Sequence, residues 1–320
     1  MSVKRTFATL CWVLALGCSG AQAAPDKVGW GYIAATAFYW DVFAAMSKGF
    51  MAEQNIAVED TRIDAAGQSV QMVLTSAIDI LSSNTELALN AIDKDADLVI
   101  VGDETAKVPW TLMARPEIKT IKDLKGKVVG VTQLTDASTT MLKLLLKRDG
   151  VLDSEYEVIQ LGGTPNRYAA LTRGAVQATL LAQPQDIQAG QDGMRSLGSV
   201  SETFDGPAIV FAVRRSWAKQ HADLLVRFLR AAVRGMEWVN DRNNKQQAVA
   251  LLVKKIGGSE ALAAQTYDLY TEQGVISRTG ELPLQHVKNY LALSRPNVDS
   301  IDLKRYVDFS YLGQARQAAR

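Results

Sequence analysis

The chain has 320 residues and a formal net charge of +1, so it lacks the excess of basic residues by which nucleic-acid-binding proteins hold phosphate backbones. Its only cysteines are Cys11 and Cys18, and its 48% share of hydrophobic residues is ordinary for a folded globular protein. Beyond residue 18 we therefore expect neither a disulfide nor a cysteine-ligated metal.

The first 23 residues have the pattern of a secretory signal peptide. A basic start precedes an apolar run, and Ala21 and Ala23 place small residues where signal peptidase reads them. We expect cleavage after Ala23 and a periplasmic mature protein, which loses two basic residues and so carries a net charge of −1. A lipid anchor at Cys18 is the alternative, although Ala15-Leu16-Gly17 poorly matches the sequence that precedes a lipidated cysteine.

Strands and helices alternate from residue 28 to residue 213, which predicts mostly parallel sheets covered by helices. We predict strands at 28–33, 58–63, 78–81, 98–101, 110–114, 128–131, 157–161, 178–181 and 208–213. Helices are predicted after most of these strands, including one over 137–148, and Thr120 and Asp123 resemble a capping box. The remainder is predicted to be helical at about 222–240, 245–256, 259–272, 284–293 and 303–309.

This order of elements predicts two α/β lobes followed by a helical tail. We assign residues 24–112 to the first lobe, 113–205 to the second, and 206–320 to a strand that returns to the first lobe and to the C-terminal helices. Two chain crossings between the lobes would form a hinge, and the cleft between the lobes is the expected ligand site.

Three successive aromatic residues follow the first predicted strand, where ligands bind in open α/β sheets. Phe38, Tyr39 and Trp40 cannot share one direction on a helix, since neighbouring residues point about 100° apart. At least one should face the cleft and stack on a planar ligand, with Tyr39 and Trp40 favoured. The alternative is that all three pack in the core.

Polar residues open several predicted helices near the same edge. Ser83, Asn84 and Thr85 follow the third strand, where exposed N–H groups either bind ligand oxygens or are capped. Gln68 opens the preceding helix. In the second lobe, Arg167 either clamps a carboxylate or lies in solvent.

Signs of catalysis or of a metal site are weak. His221 and His286 have no acid or nucleophile at a spacing typical of a catalytic triad or metal site, so we expect surface or capping roles. Asp103 and Glu104 form an acidic pair that we expect in a solvated loop. We therefore expect no enzyme activity, no metal and no cofactor.

Several segments in order resemble the nitrate/sulfonate/taurine-type substrate-binding proteins of ABC importers, the group that includes SsuA and the thiamine-pyrimidine-precursor-like proteins. The segments are Gly31-Tyr32-Ile33-Ala34-Ala35-Thr36, Lys48-Gly49-Phe50-Met51-Ala52-Glu53, Leu74-Thr75-Ser76-Ala77-Ile78-Asp79, residues 121–131, and residues 171–178. The resemblance implies the two-lobed periplasmic-binding-protein fold of type II. It also implies a receptor that closes on a solute and docks on a membrane permease.

Two departures from the family pattern bear on the ligand. Thr135-Asp136-Ala137 replaces a Gly-Ser-Thr-like turn, and Asp136 either caps the following helix or faces the cleft. Facing the cleft, its charge would oppose an anion and suit an amine or ring N–H. Ala182-Gln183-Pro184 stands where many relatives carry Trp-Glu-Pro, which leaves Gln183 as an amide contact.

We therefore predict a periplasmic receptor that binds a small organic solute, preferably aromatic or heteroaromatic, and delivers it to an ABC permease and its ATPase. The alternatives are an exported sensor for a signalling membrane protein and an enzyme of the thiamine-pyrimidine synthase-like group, which relies on cysteines and iron. The predicted ligand contacts are Thr36, Phe38, Tyr39, Trp40, Gln68, Ser83, Asn84, Thr85, Thr135, Asp136, Ser138, Thr139, Thr164, Arg167 and Gln183.

Overall fold

A computed structural model of the chain describes residues 24–33, 36–63, 66–134, 136–295 and 297–317. The expected signal peptide and Thr135 lie outside these residues. In the part that the structure describes, no helix is both long enough and apolar enough to cross a membrane.

The strands are β1 Asp26–Ile33, β2 Ile56–Ile63, β3 Ile80–Asn84, β4 Val99–Asp103, β5 Thr111–Ala114, β6 Val128–Val131, β7 Glu157–Gln160, β8 Ala178–Leu181, β9 Arg195–Ser199 and β10 Ile209–Val213. The α-helices are α1 Trp40–Ser47, α2 Phe50–Glu53, α3 Ala66–Leu74, α4 Thr85–Asp93, α5 Ala137–Arg148, α6 Thr164–Thr172, α7 Gln185–Gln191, α8 Arg215–Gln220, α9 Ala222–Asn240, α10 Lys245–Ile256, α11 Glu260–Gln273, α12 Leu284–Ala292 and α13 Ser310–Gln317.

Two five-stranded sheets organise these elements. The first has the order β2-β1-β3-β10-β4, and the second has the order β7-β6-β8-β5-β9. One strand in each sheet, β10 or β5, runs antiparallel to its neighbours. Strands β4, β8 and β10 are buried at every residue, because helices cover both sheet faces, and this explains their uninterrupted apolar sequences.

The chain passes between the sheets twice, through two crossing segments. Residues 104–110 join the end of β4 to the start of β5, and residues 200–208 join the end of β9 to the start of β10. Both segments leave from the edge at which the parallel strands of a sheet end. The fold is therefore the two-lobed α/β fold predicted from the sequence, and the strand after Pro207 does return to the first sheet. The proposed boundary between residues 112 and 113 falls inside β5.

The C-terminal helices pack on the first lobe. Helix α9 presents an apolar stripe that includes Leu225, Phe228, Leu229 and Met236 and lies against α1. Gly235 belongs to this stripe, and a Cβ atom on it would lie 2.1 Å from the backbone oxygen of Asp41. The absence of a side chain at Gly235 is what allows α1 and α9 to approach so closely.

Most predicted elements are confirmed, with three corrections. The helix predicted at 303–309 is wrong, because this stretch holds only a short 3-10 turn and α13 begins later, at Ser310. Strand β9 was not predicted, since Arg195–Ser199 is short, polar and half-exposed. Thr164 is the first residue of α6 rather than its cap, which is Gly163.

Candidate functional site

Three carboxyl groups are buried at the carboxyl edge of the first sheet. Asp103 ends β4, Glu104 begins the first crossing segment, and Asp41 lies in the first turn of α1. Their exposed fractions are 1%, 0% and 0%. The expectation of a solvated loop at Asp103 and Glu104 is therefore wrong. We call these three residues the acidic cluster.

The acidic cluster has unused hydrogen-bonding capacity. Both carboxyl oxygens of Asp41, both of Glu104 and Oδ1 of Asp103 are buried without a hydrogen-bond partner among the described residues. Native proteins pair most buried polar atoms, since an unpaired one costs about 1–3 kcal/mol. Five such atoms in one cluster make it a candidate site for a bound molecule that carries hydrogen-bond donors.

Burial also controls protonation in the acidic cluster. It raises the pKa of Asp41 to about 8 and that of Asp103 to about 7, and it holds the pKa of Glu104 well above its usual range. The charge of Asp103 raises the pKa of Asp41 further, and the charges of Asp41 and Asp103 raise that of Glu104. Nearby hydroxyl and N–H groups offset only part of these effects. The acidic cluster is therefore partly protonated at neutral pH.

Further unpartnered polar atoms come from both lobes. Within the described ranges, Thr36 Oγ1, the Tyr270 hydroxyl and Gln183 Oε1 are buried and have no hydrogen-bond partner. Burial raises the pKa of Tyr270, and the charge of Asp186 and the Tyr39 hydroxyl raise it further. Tyr270, on α11, is thus close to a residue of each lobe.

The aromatic residues after β1 are buried. Phe38 and Tyr39 are 4% and 1% exposed. The Tyr39 hydroxyl donates to the Ile33 carbonyl oxygen (2.8 Å) and accepts from the Ile33 N–H (3.1 Å), while the ring packs against Tyr32 and Phe43. Burial raises the pKa of Tyr39, and Glu104 raises it further, which places this ring beside the acidic cluster.

Trp40 lies in the core beneath the C-terminal helices. It is 0% exposed, its indole N–H donates to the Ala248 carbonyl oxygen (3.1 Å), and its ring meets Tyr267 edge-on with centroids 5.7 Å apart. Replacing Trp40 with alanine would remove core packing, typically at about 3–5 kcal/mol, so that variant is no clean test of ligand stacking. Stacking by Trp40 stays a prediction.

The polar residues at the start of α4 are turned toward backbone groups. The Thr85 hydroxyl donates to the Pro207 carbonyl oxygen (2.8 Å) in the second crossing segment, and the Ser83 hydroxyl donates to the Asn84 carbonyl oxygen (3.0 Å). Asn84 occupies the cap position without a side-chain capping bond. Gln68, at the start of α3, is exposed. Ligand contacts by these residues stay predictions.

In the second lobe, Asp136 caps helix α5. Its Oδ1 accepts from the Ser138 N–H (3.1 Å), the Ser138 hydroxyl (2.7 Å) and the Thr139 N–H (3.4 Å). The Thr139 hydroxyl donates to the Gln133 carbonyl oxygen (2.7 Å). The capping role is thus confirmed, and the ligand contacts predicted for these residues remain untested predictions.

Arg167 is buried, so the interpretation of a solvated arginine is wrong. It is 2% exposed and donates to the carbonyl oxygens of Leu180 (3.0 Å) and Gly162 (2.8 Å). Its remaining contacts are the hydroxyls of Thr164 (3.1 Å) and Thr132. Burial lowers the pKa of Arg167 to about 10, so it stays charged at neutral pH and holds together the carboxyl edge of the second sheet.

Gln183 and Asp186 attach the second lobe to the first crossing segment. The Gln183 amide donates to Asp186 Oδ2 (2.5 Å) and to the Pro109 carbonyl oxygen (2.9 Å). Asp186 also accepts from the Thr111 hydroxyl (2.8 Å) and the Ile187 N–H (2.7 Å). Burial raises the pKa of Asp186 to about 6. Gln183 Oε1 is left free for a further donor.

The second lobe is also hydrogen-bonded to α4 and to α11. The Thr140 hydroxyl of α5 donates to Glu86 Oε1 of α4 (3.0 Å), and burial raises the pKa of Glu86. On the other side, Gln191 of α7 reaches Gln265 of α11 (3.4 Å). The structure therefore shows the lobes in contact, and each side of the cleft also contributes buried, unpartnered polar atoms.

Sequence reasoning missed the acidic cluster, Asp186 and Tyr270. In the sequence, Asp103 and Glu104 come shortly after the predicted strand at 98–101, and Ser83 was selected as a candidate for a similar position after the strand at 78–81. A solvated loop was expected because acidic residues are rarely buried without partners. Tyr270 lies in the tail, and nothing local to its sequence places it beside α1.

The chain forms two lobes that are joined by two crossing segments, and polar groups lie where the strands of the sheets end. This is the architecture of a periplasmic binding protein. The chain belongs to the NMT1/THI5-like family, whose model matches residues 39–245, well over half of its length. The resemblance inferred from the sequence is thereby confirmed.

Solved structures share this fold. A protein of Bordetella bronchiseptica has a TM-score of 0.78 at 17% identity, with 92% of this chain and 98% of that chain covered. The nitrate-binding protein NrtA of Synechocystis has a TM-score of 0.77 at 14% identity, with 92% of this chain and 89% of that chain covered. The alkanesulfonate-binding protein SsuA of Xanthomonas axonopodis, bound to MOPS, has a TM-score of 0.71 at 19% identity, with 85% of this chain and 92% of that chain covered. No curated protein sequence matches the chain significantly.

Proposed function

We propose that this protein is a periplasmic receptor that captures a small organic solute between its lobes and delivers it to an ABC-type permease. The observation that carries the proposal is the set of buried, unpartnered polar atoms contributed by both lobes. The fold shared with binding proteins that are named for their ligands supports a role in binding rather than catalysis.

In the proposed mechanism the lobes close as rigid bodies about the two crossing segments. A solute can shift this equilibrium only through contacts that it makes better in the closed state. Gln183 Oε1 of the second lobe and the Tyr270 hydroxyl of the C-terminal helices are both unpartnered, so a solute that bridges them would favour closure. The contact between Thr140 and Glu86 would add to the stability of the closed state.

We assign the first lobe's contribution to Thr36, Tyr39 and the acidic cluster, and the second lobe's to Gln183 and the start of α5. The other predicted contacts are retained as candidates: Phe38, Trp40, Gln68, Ser83, Asn84, Thr85, Thr135, Thr164 and Arg167. An aromatic or heteroaromatic solute suits the rings that follow β1. Export with cleavage after Ala23 is part of the same proposal. The lobe bounds given above are also part of it, with the first bound moved from residue 112 to the crossing segment 104–110.

A thermal-shift screen of residues 24–320 against small organic solutes tests the function. A true ligand at 100 times its dissociation constant should add about 2.7 kcal/mol to the free energy of unfolding. Mass spectrometry of the recovered solute should show it unchanged. A chain that no solute stabilises, or one that converts the solute, would contradict the proposal.

A further inference from the structure

We propose that the solute is a small organic cation held by the acidic cluster, an inference that rests on the proposed function. An ammonium group carries three donors, and an amidinium group presents four N–H bonds in one plane. Either group would supply the donors that Asp41, Asp103 and Glu104 lack.

Within the part of the chain that the structure describes, no protein cation balances the acidic cluster. Among the described residues, none of its three carboxyls takes part in an ion pair, and the only charges that shift their pKa values are those of one another. Unpaired carboxylates are too costly to bury, so the cluster must either hold protons or receive a cation.

Charged groups on the elements around α1 are engaged elsewhere. On α9, Arg234 pairs with Glu53, and at the end of α1 Lys48 donates to Gln247 (2.7 Å). Lys255 of α10 lies 5.1 Å above the Phe43 ring centroid. Among the described residues, Tyr39 is close enough to Glu104 for the carboxylate to raise its pKa, and Tyr270 is in turn affected by Tyr39 and Asp186. None of these groups adds a positive charge.

The buried arginine of the second lobe is not free to bind an anion. Arg167 already donates to four protein oxygens and lies near Asp136, whose charge opposes the lowering of the arginine pKa. A sulfonate or nitrate placed between the lobes would add a negative charge beside the acidic cluster. The solute should thus differ in charge from the nitrate and sulfonate ligands for which NrtA and SsuA are named.

Binding should be coupled to proton release. The pKa values of the free acidic cluster are raised, so it holds protons below about pH 7, and a cation favours the ionised carboxylates. Affinity should therefore rise with pH, about tenfold per unit between pH 5.5 and 6.5 if one proton is released, and should level off above about pH 8.

Matched probes test the charge of the solute. Benzamidine, benzamide and benzoate share one ring but are respectively cationic, neutral and anionic. Phenethylamine and its alcohol analogue form a second set, in which an ammonium group is compared with a neutral hydroxyl. The thermal-shift screen should select the cations of each set. Calorimetry in two buffers of different ionisation enthalpy should show about one proton released near pH 6.

Variants assign that effect to the acidic cluster. Asp41→Asn and Glu104→Gln should each weaken binding of the selected cation at least tenfold and abolish its proton release. Glu237→Gln, an exposed change on α9, is the matched control and should leave both the affinity and the proton release unchanged.

Without solute, the free energy of unfolding should fall as the pH rises from about 4 to about 8, because the folded state holds protons that the unfolded chain releases. Asp41→Asn should make this dependence on pH less steep.

Each contrary result overturns the inference in a recognisable way. If only benzoate, benzamide or another uncharged or anionic solute stabilises the protein, the cation is wrong and the receptor function stands. If Zn²⁺ or Mg²⁺ alone does so, the site is a metal site. If no compound of any charge stabilises it, the proposed function fails as well.

Discussion

Replacing Gly235 with alanine should destabilise the protein by about 2–4 kcal/mol. The new Cβ atom would meet the Asp41 carbonyl oxygen at 2.1 Å, so α9 would have to move away from α1. Alanine is intrinsically better in a helix by about 1 kcal/mol, and that gain should not offset the clash. Urea unfolding of both proteins measures the difference.

Gly313→Ala is the matched control for this prediction. Gly313 also lies inside a helix, α13, but its added Cβ would meet no atom within 4 Å. This variant should be as stable as the parent or more stable by up to about 1 kcal/mol. Equal effects at the two glycines would show that close packing of α1 on α9 is not what Gly235 provides.

Replacing Arg167 with methionine should destabilise the protein by about 3–5 kcal/mol. Methionine fills much of the same volume but leaves the carbonyl oxygens of Leu180 and Gly162 without their donors. It also leaves Asp136 buried without its neighbouring positive charge. Chemical unfolding, with a fluorescence probe in the second lobe, gives the free energy.

Arg173→Met provides the comparison on the same helix. Arg173 follows the last residue of α6 and is exposed, so its replacement should change the free energy of unfolding by no more than about 0.5 kcal/mol. If Arg167→Met were equally mild, Arg167 would not hold the sheet edge together and would be available to a ligand after all.

The fold was predictable because its signals are local. Buried strands such as β6 and β8 read as short apolar runs, and helices α5 and α9 begin and end at the predicted residues. Elements without such signals were missed. Strand β9 is polar because it lies at a sheet edge, and its pairing with β5 depends on tertiary contact.

The site was less predictable, because it depends on which distant segments meet. Helix starts were recognisable, and the cap at Asp136 was among the stated interpretations. Burial of Arg167 could not be inferred, since besides Thr164 of its own helix it requires acceptors on β8 and on the loops that hold Thr132 and Gly162. Likewise, the meeting of Asp41 with Glu104 joins residues far apart in sequence.

The distance between the lobes tests the central claim most directly. Residues 24–320 contain no cysteine, so Lys94→Cys on the first lobe and Lys147→Cys on the second can carry a pair of spin or fluorescent labels. Both positions are exposed and lie at the ends of α4 and α5 far from the contact between Thr140 and Glu86. A pair at Gln71 and Lys94, within the first lobe, is the control.

The most stabilising solute of the screen should shorten and narrow the distance distribution between Lys94 and Lys147 and leave the control pair unchanged. A distribution that stays the same while the solute measurably stabilises the protein would contradict closure of the lobes around a bound solute.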